Sequence, residues 1–311
     1  MLRLSQTRIS SIKEGVTQMD SRKKKDAAWY ALFVLPVVIV FTIIVIIPFV
    51  IGIGYSFYSW DGLPVHEKKF VGFDNYVSLF NDARFMVSAG HTLLFTVVAV
   101  VIINLLGLIF ALIVTSKLKI KNILRTMLFM PYLIGGLILG YIWKFIFGEG
   151  LKTIGEAIGN TDVFFNWLVD KKMALVALVI VATWQMAGYI MIIYITGIQG
   201  IPDDVLEAAT VDGAGFWYTL FYIKLPLIMP SFTICLFMTL SNCFKIFDTN
   251  LSLTGGGPNN ATEMFAMNIY NEIFKLNNYG YGQAKAILFL IVVAFFTLMQ
   301  VSITKKREVE M

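Results

Sequence analysis

Between one Asp, Glu, Lys or Arg and the next, the chain leaves six long stretches without formal charge. They are 27–60, 85–116, 126–143, 173–202, 225–244 and 286–304, of 34, 32, 18, 30, 20 and 19 residues. A helix needs about 20 residues, within a range of roughly 17–25, to cross the hydrocarbon core of a bilayer. Each stretch therefore predicts one span. Trimmed of interfacial residues, the predicted helices fall near 29–54, 92–115, 127–147, 174–198, 226–246 and 286–303. The third must carry Lys144 near one end, where a long side chain can reach the headgroups. The first is too long for the apolar core of a signal peptide and has no small-residue cleavage site after it, so it reads as a retained anchor. Pro36 and Pro48 within it are tolerated in membrane helices. Outside the stretches, Phe73, Tyr76 and Phe80 stand at helical spacing, which suggests an interfacial helix on the outer surface, though a plain aromatic-belt anchor is the simpler reading.

Composition turns this pattern into a membrane assignment. Hydrophobic residues make up 58% of the 311 and charged residues 14%, against about 45–50% and 25% in a soluble domain. The fold class is therefore an all-α integral membrane protein with six transmembrane helices. The net charge of +5 is an orientation signal rather than a nucleic-acid one. With the N-terminus inside, fifteen Lys and Arg fall on the cytoplasmic side and eight in the three external loops, so the N- and C-termini are expected to be cytoplasmic. Residues 1–26 read as a basic cytoplasmic tail, 27–305 as the six-helix domain and 306–311 as a second short tail. Met19 opens a compact start, which makes 1–18 either a disordered tail or an over-extended gene start. Cys235 and Cys243, eight residues apart on one helix, are separated by about 12 Å of rise, too far for a disulfide.

One cytoplasmic segment breaks the charge rule. Residues 199–225 hold one Lys against Asp203, Asp204, Glu207 and Asp212, which suits a surface covered by protein better than one facing anionic lipid. Pro202 fits the start of a helix and the two aspartates complement its dipole. Gly213 or Gly215 ends it. A second short helix, 216–224, then leads to Leu225-Pro226 and the fifth span. The result is an elbow, 201–225, with small residues Ala208 and Ala209 beside Glu207.

These residues resemble a known family. Glu207-Ala208-Ala209, then Gly213, then Ile223-x-Leu225-Pro226 match the EAA signature of ABC importer permeases. Ile201-Pro202, Asp212-Gly213-Ala214 and Pro230 are similar to the version in carbohydrate permeases of the maltose and multiple-sugar type. Gly72-Phe73-Asp74-Asn75-Tyr76 and Leu253-Thr254-Gly255-Gly256-Gly257-Pro258 with Thr262-Glu263 agree with it. His91 departs from the usual Asn at the top of the second helix. The resemblance, over about residues 27–305, implies a type I ABC importer permease-like bundle in a bacterial-type cell membrane. It implies a sugar or oligosaccharide cargo and, as partners, a second homologous permease, two cytoplasmic ATPase subunits and an extracytoplasmic sugar-binding protein. Glu207 would be the main polar contact to the ATPase, with Ala208 and Ala209 allowing close approach and Gly213 the turn. Ile223, Leu225 and Pro226 would anchor the elbow, with Asp212 beside the turn.

No phosphate-binding loop occurs, so ATP and Mg belong to the partner ATPase, and no cofactor is expected in this chain. Two histidines and two intramembrane cysteines offer no metal set, and no catalytic constellation can be assembled. Polar residues inside spans mark functional positions by default. Asn104, Gln185, Asn242 and Lys245 stand out, with Trp184 offering a stacking face for a sugar ring and Asp248 placed to pair with Lys245 on one helix face. Each could instead be an interhelical hydrogen-bonding group. Trp184, Gln185 and Asn242, with Lys245, form the expected pathway. A permease for another solute, such as a glycerol phosphate, is the alternative. An ion-driven secondary transporter is disfavoured because no repeat is evident and no carboxylate falls in a predicted span.

Overall fold

The computed structural model describes residues 29–308 except Lys117. The tail expected at 1–26, the Met19 start and the last three residues of the C-terminal tail lie outside the described residues. The described chain divides into two units at Tyr55. The first is a single helix, α1 (Trp29–Tyr55), exposed along most of its length. It widens into a π turn at Thr42–Ile46, just before Pro48, whose missing N–H and ring disturb the normal i to i−4 ladder of the preceding turn.

The second unit opens with a two-stranded hairpin, β1 (Tyr58–Ser59) against β2 (Lys69–Phe70), and a short helix, α2 (Asp74–Leu79). The predicted interfacial helix is therefore only six residues long. Phe73 and Phe80 beside it are exposed, while the Tyr76 hydroxyl lies 2.7 Å from Ser56 Oγ. Next comes α3 (Ala83–Thr115), nine residues longer at its start than predicted because Asp82 caps it, accepting from Phe85 N at 3.0 Å. This satisfies one of the free amides that open a helix. Helix α6 (Lys171–Gln199) is capped in the same way by Asp170. It packs closely against α3, where a Cβ at Gly107 would approach Ile190 Cγ2 to 2.7 Å. Around this pair lie Phe95, Ile103, Leu178, Met191 and Tyr194, all buried.

The third and fifth predicted spans are each broken. Helix α4 (Lys121–Leu133) meets α5 (Gly136–Ile158) at 99°. Pro131 restricts the residue before it and removes a donor, and Gly135 opens α5 in an extended conformation. Between α6 and the next break stand α7 (Asp203–Val211) and α8 (Phe216–Leu227). The latter meets α9 (Met229–Phe244) at 71° across Ile228. Pro226 thus sits in α8, and Pro230 rather than Pro226 opens the fifth span's main helix. Among the described residues, four helices are long and apolar enough to cross a bilayer, or six if each bent pair counts as one.

Helix α10 (Asp248–Leu253) follows α9 and rests on α5 through two glycines. A Cβ at Gly136 would come within 2.8 Å of Thr249 Oγ1, and one at Gly140 would overlap Ser252 Oγ. Residues 265–275 form α11, and α12 (Tyr279–Lys305) closes the bundle against α9.

Candidate functional site: the elbow and a polar cavity

The elbow has the form its sequence predicts. Asp203 and Asp204 occupy the first turn of α7, and Pro202 stands at its cap. Gly213 takes a φ of +76°, the left-handed region that an L side chain enters only at a cost. The turn is closed by Gly213 N donating to Thr210 O and Ala214 N to Ala209 O, at 3.1 and 2.9 Å. Glu207, Ala208 and Asp212 are exposed, whereas Ala209 is only 6% exposed. Ala209 lines a groove of about 500 Å³ with Asp212, Gly213, Tyr218 and Ile223. Leu225 packs on the main core, and Pro226 is half-buried. The aromatics of α8 add a feature not expected from the motif. Trp217 stacks with Phe221 at 6.0 Å and Tyr218 with Tyr222 at 4.9 Å, all four exposed. Their i, i+4 spacing was the available signal.

Three of the four expected pathway residues come together. Gln185, Asn242 and Lys245 line one cavity of about 260 Å³ with Tyr132, Asp248 and Thr249. It forms where the break between α4 and α5 meets the link between α9 and α10. Gln185 Nε2 donates to the Ile134 carbonyl at 3.0 Å, inside the first break. Asn242 Nδ2 donates to Met238 O at 2.8 Å. Trp184 is turned away. It lines a separate apolar cavity with Val179, Ala187 and Pro131 and meets Trp143 edge-on at 5.5 Å. The aromatic wall of the polar cavity is Tyr132, stacked on Tyr189 at 4.3 Å. Because α9 ends at Phe244, Lys245 and Asp248 do not share one helix face, and no ion pair joins them among the described residues. Asn104 is an interhelical tie. It donates to Thr239 Oγ1 at 2.9 Å and accepts from the Tyr194 hydroxyl at 3.0 Å, linking α3, α9 and α6.

At the start of α12 a buried charge network was not anticipated. Lys285, fully buried, lies 2.9 Å from Asp82 and 2.8 Å from Glu272. Arg84 binds both carboxylate oxygens of Glu263 at 2.7 and 2.9 Å. Asn268 and Asn271 also donate to Glu263. Burial pushes the Asp82 carboxyl up, but the Lys285 and Phe85 hydrogen bonds and the Lys285 charge outweigh it and hold it below its ordinary range. Beside the network, the Gly255–Pro258 segment forms the expected turn, with Gly255 and Gly256 at positive φ. The departure residue, His91, has a buried Nδ1 without a hydrogen-bond partner among the described residues. The neighbouring Thr92 hydroxyl accepts from Phe265 N at 2.9 Å.

This arrangement, a glycine-turned elbow on a bundle with two bent helix pairs, has relatives among known proteins. Residues 103–309 match the family described as the binding-protein-dependent transport system inner membrane component. The chain belongs to that family. It is 45% identical, over 92% of its length and 97% of the relative's, to the probable starch degradation products transport system permease protein AmyD of Thermoanaerobacterium thermosulfurigenes. It is 34% identical to the multiple sugar-binding transport system permease protein MsmF of Streptococcus mutans, over 94% of this chain and all of that one. A crystal structure of a bacterial ABC transporter that imports the acidic polysaccharide alginate contains a chain of the same fold. Its TM-score is 0.78 at 22% identity, over 91% of this chain and 96% of that one. The fold is thus that of an ABC importer permease.

Proposed function

We propose that this chain is one of two permease subunits of an ATP-driven sugar importer. In that assembly a homologous permease completes the pathway, two cytoplasmic ATPases supply the energy from ATP and Mg, and an external binding protein delivers the sugar. Each bent pair counts as one span, giving six, with both termini in the cytoplasm and the elbow facing the ATPase. The observation that carries this reading is the elbow itself, with Glu207, Ala208 and Asp212 exposed around a turn that only Gly213 makes without strain. Ile223, Leu225 and Pro226 join it to the bundle, so a push on α7 is passed to α9 through α8. Ala208, exposed, and Ala209, lining the groove, would allow the ATPase to approach closely. Sugars as cargo are favoured by the relatives and by the cavity. Tyr132 offers an aromatic face, Gln185 and Asn242 offer amides, and the charges of Lys245 and Asp248 balance, which suits a neutral polyhydroxylated solute.

The test is sugar-stimulated ATP hydrolysis by the complete complex in proteoliposomes. Glu207→Ala and Gly213→Pro should abolish the stimulation while the chain stays in the membrane at wild-type levels. Full stimulation in Gly213→Pro would refute the coupling role. For the pathway, Gln185→Ala and Asn242→Ala should change sugar affinity or selectivity, and Trp184→Ala should not.

A further inference from the structure

A second polar cavity, of about 230 Å³, lies at the far end of the bundle from the elbow. Gly197 contacts Ser231 near the elbow, and Gln300 reaches Thr233 beside it, so the opposite end of α12, residues 279–285, marks the far end. The cavity is framed by the loop between β1 and β2 and by the first turn of α12. The loop packs on the start of α12. Gly280 N donates to Trp60 O at 3.1 Å, Trp60 packs on Tyr279 at 6.0 Å, and Gly62, at a φ of +89°, lies against the Tyr279 ring.

The direction of its hydrogen bonds decides what the cavity can hold. Asn75 spends both amide hydrogens on the Ser56 and Tyr58 carbonyls, at 2.8 and 3.1 Å. Asn278 donates to Glu272 at 2.7 Å and the Tyr281 hydroxyl to Asp82 at 3.1 Å, both into the buried charge network. Trp60 Nε1 donates to Leu63 O at 2.9 Å. Most of the donors thus point into the protein, while the Ser59 hydroxyl and the His66 ring also line the cavity. The lone pairs of two amide carbonyls and a phenol oxygen are left for it. Two carboxylates join them. His66 and the Leu63 amide hold the Asp61 carboxyl below its ordinary range, and Glu67 is exposed with no ion pair among the described residues. Lys68 Nζ stands over the Trp60 ring at 4.5 Å and His66 pairs with Asp61, so Glu67 is the carboxylate left for a ligand. A pocket with this surplus of acceptors calls for a donor of positive charge. Its volume lies below the roughly 300–1,000 Å³ typical of drug-sized ligands, so it has room for one side chain rather than an oligosaccharide.

We propose that this cavity receives an arginine or lysine side chain of the external binding protein when that protein docks. The assignment rests on the function proposed above, which puts this end of the bundle outside. It adds to that function a specific contact, with Glu67 as the charged pole and Asn75, Asn278 and Tyr281 as fixed acceptors.

The experiment measures the affinity of the binding protein encoded with this transporter for the complete complex in lipid nanodiscs, at low and high salt. Glu67→Gln should weaken docking by about tenfold at low salt and Glu67→Lys by more, and both should flatten the salt dependence. Glu156→Gln, at an exposed carboxylate of α5, should leave both unchanged. Basal ATP hydrolysis without binding protein should be the same in all. Wild-type affinity in both Glu67 variants would overturn the assignment. So would lost uptake with docking intact, which would give the cavity to the solute. A wild-type complex that docks no binding protein at any salt would overturn the proposed function, and this assignment with it.

Discussion

Gly213 and Asn104 show how differently single residues act in this bundle. Gly213 is set by backbone geometry. Its φ of +76° makes any L side chain costly, although a Cβ there would meet nothing within 4 Å. Gly213→Ala should therefore loosen the elbow by about 1–2 kcal/mol without disturbing packing. Hydrogen exchange at the Gly213 and Ala214 amides should speed up about tenfold or more, while exchange in α3 and α6 stays unchanged. Asn104 is set by partners on two other helices. Asn104→Leu should cost about 1 kcal/mol, and a double-mutant cycle with Tyr194→Phe should return a coupling of about 0.6 kcal/mol. At this scale the sequence was legible where local geometry decides, as at Gly213 and the Asp203–Asp204 start of α7. It was less legible where direction decides. Trp184 and Gln185 are adjacent, yet on a helix adjacent side chains point about 100° apart, so only Gln185 reaches the polar cavity.

Among the elements, the pairing of α5 with α10 depends on absent side chains. The methyl group that would stabilise an exposed helical position would overlap Ser252 at Gly140. The same substitution should therefore have opposite signs at two glycines. Gly140→Ala should lower the thermal midpoint of the purified protein in detergent. Gly90→Ala, where a Cβ meets nothing, should leave it unchanged or raise stability by up to about 1 kcal/mol. A drop of equal size in both would show that the contact with α10 is not the cause. The two breaks were hidden for a related reason. A charge-free stretch reports that a segment prefers lipid or protein to water, and says nothing of its direction. Pro131 with Gly135, and Ile228 between Pro226 and Pro230, turn the chain inside stretches that hydropathy reads as continuous.

For the whole molecule, the charge network joins two distant parts of the chain, residues 82–84 and 263–285, and this is why it was illegible. Lys285 ends the uncharged stretch 286–304 and so reads as a loop residue, while its partners Asp82 and Glu272 stand in other segments. Folding puts all three in one buried place. Lys285→Met, which strands two carboxylates, should destabilise the protein by about 3–5 kcal/mol in chemical denaturation, and adding Asp82→Asn and Glu272→Gln should recover much of that. The depressed Asp82 pKa gives a sign for acid. Its contribution is complete above the ordinary value of 3.8 and is lost as the pH falls below that and through the lower folded value. The thermal midpoint should thus fall on acidification below about pH 4, and fall less in Asp82→Asn. The Gln185 bond to the Ile134 carbonyl also has a consequence for biogenesis. Ile134 leaves the ribosome 51 residues before Gln185, and the hydrocarbon core has no water to satisfy its carbonyl in the meantime. With α4 and α5 as one span, as proposed above, the Ile134 carbonyl would be better satisfied beside α6 than in lipid alone. A chain truncated before residue 171 should therefore insert less stably than one that includes α6, as carbonate extraction would show.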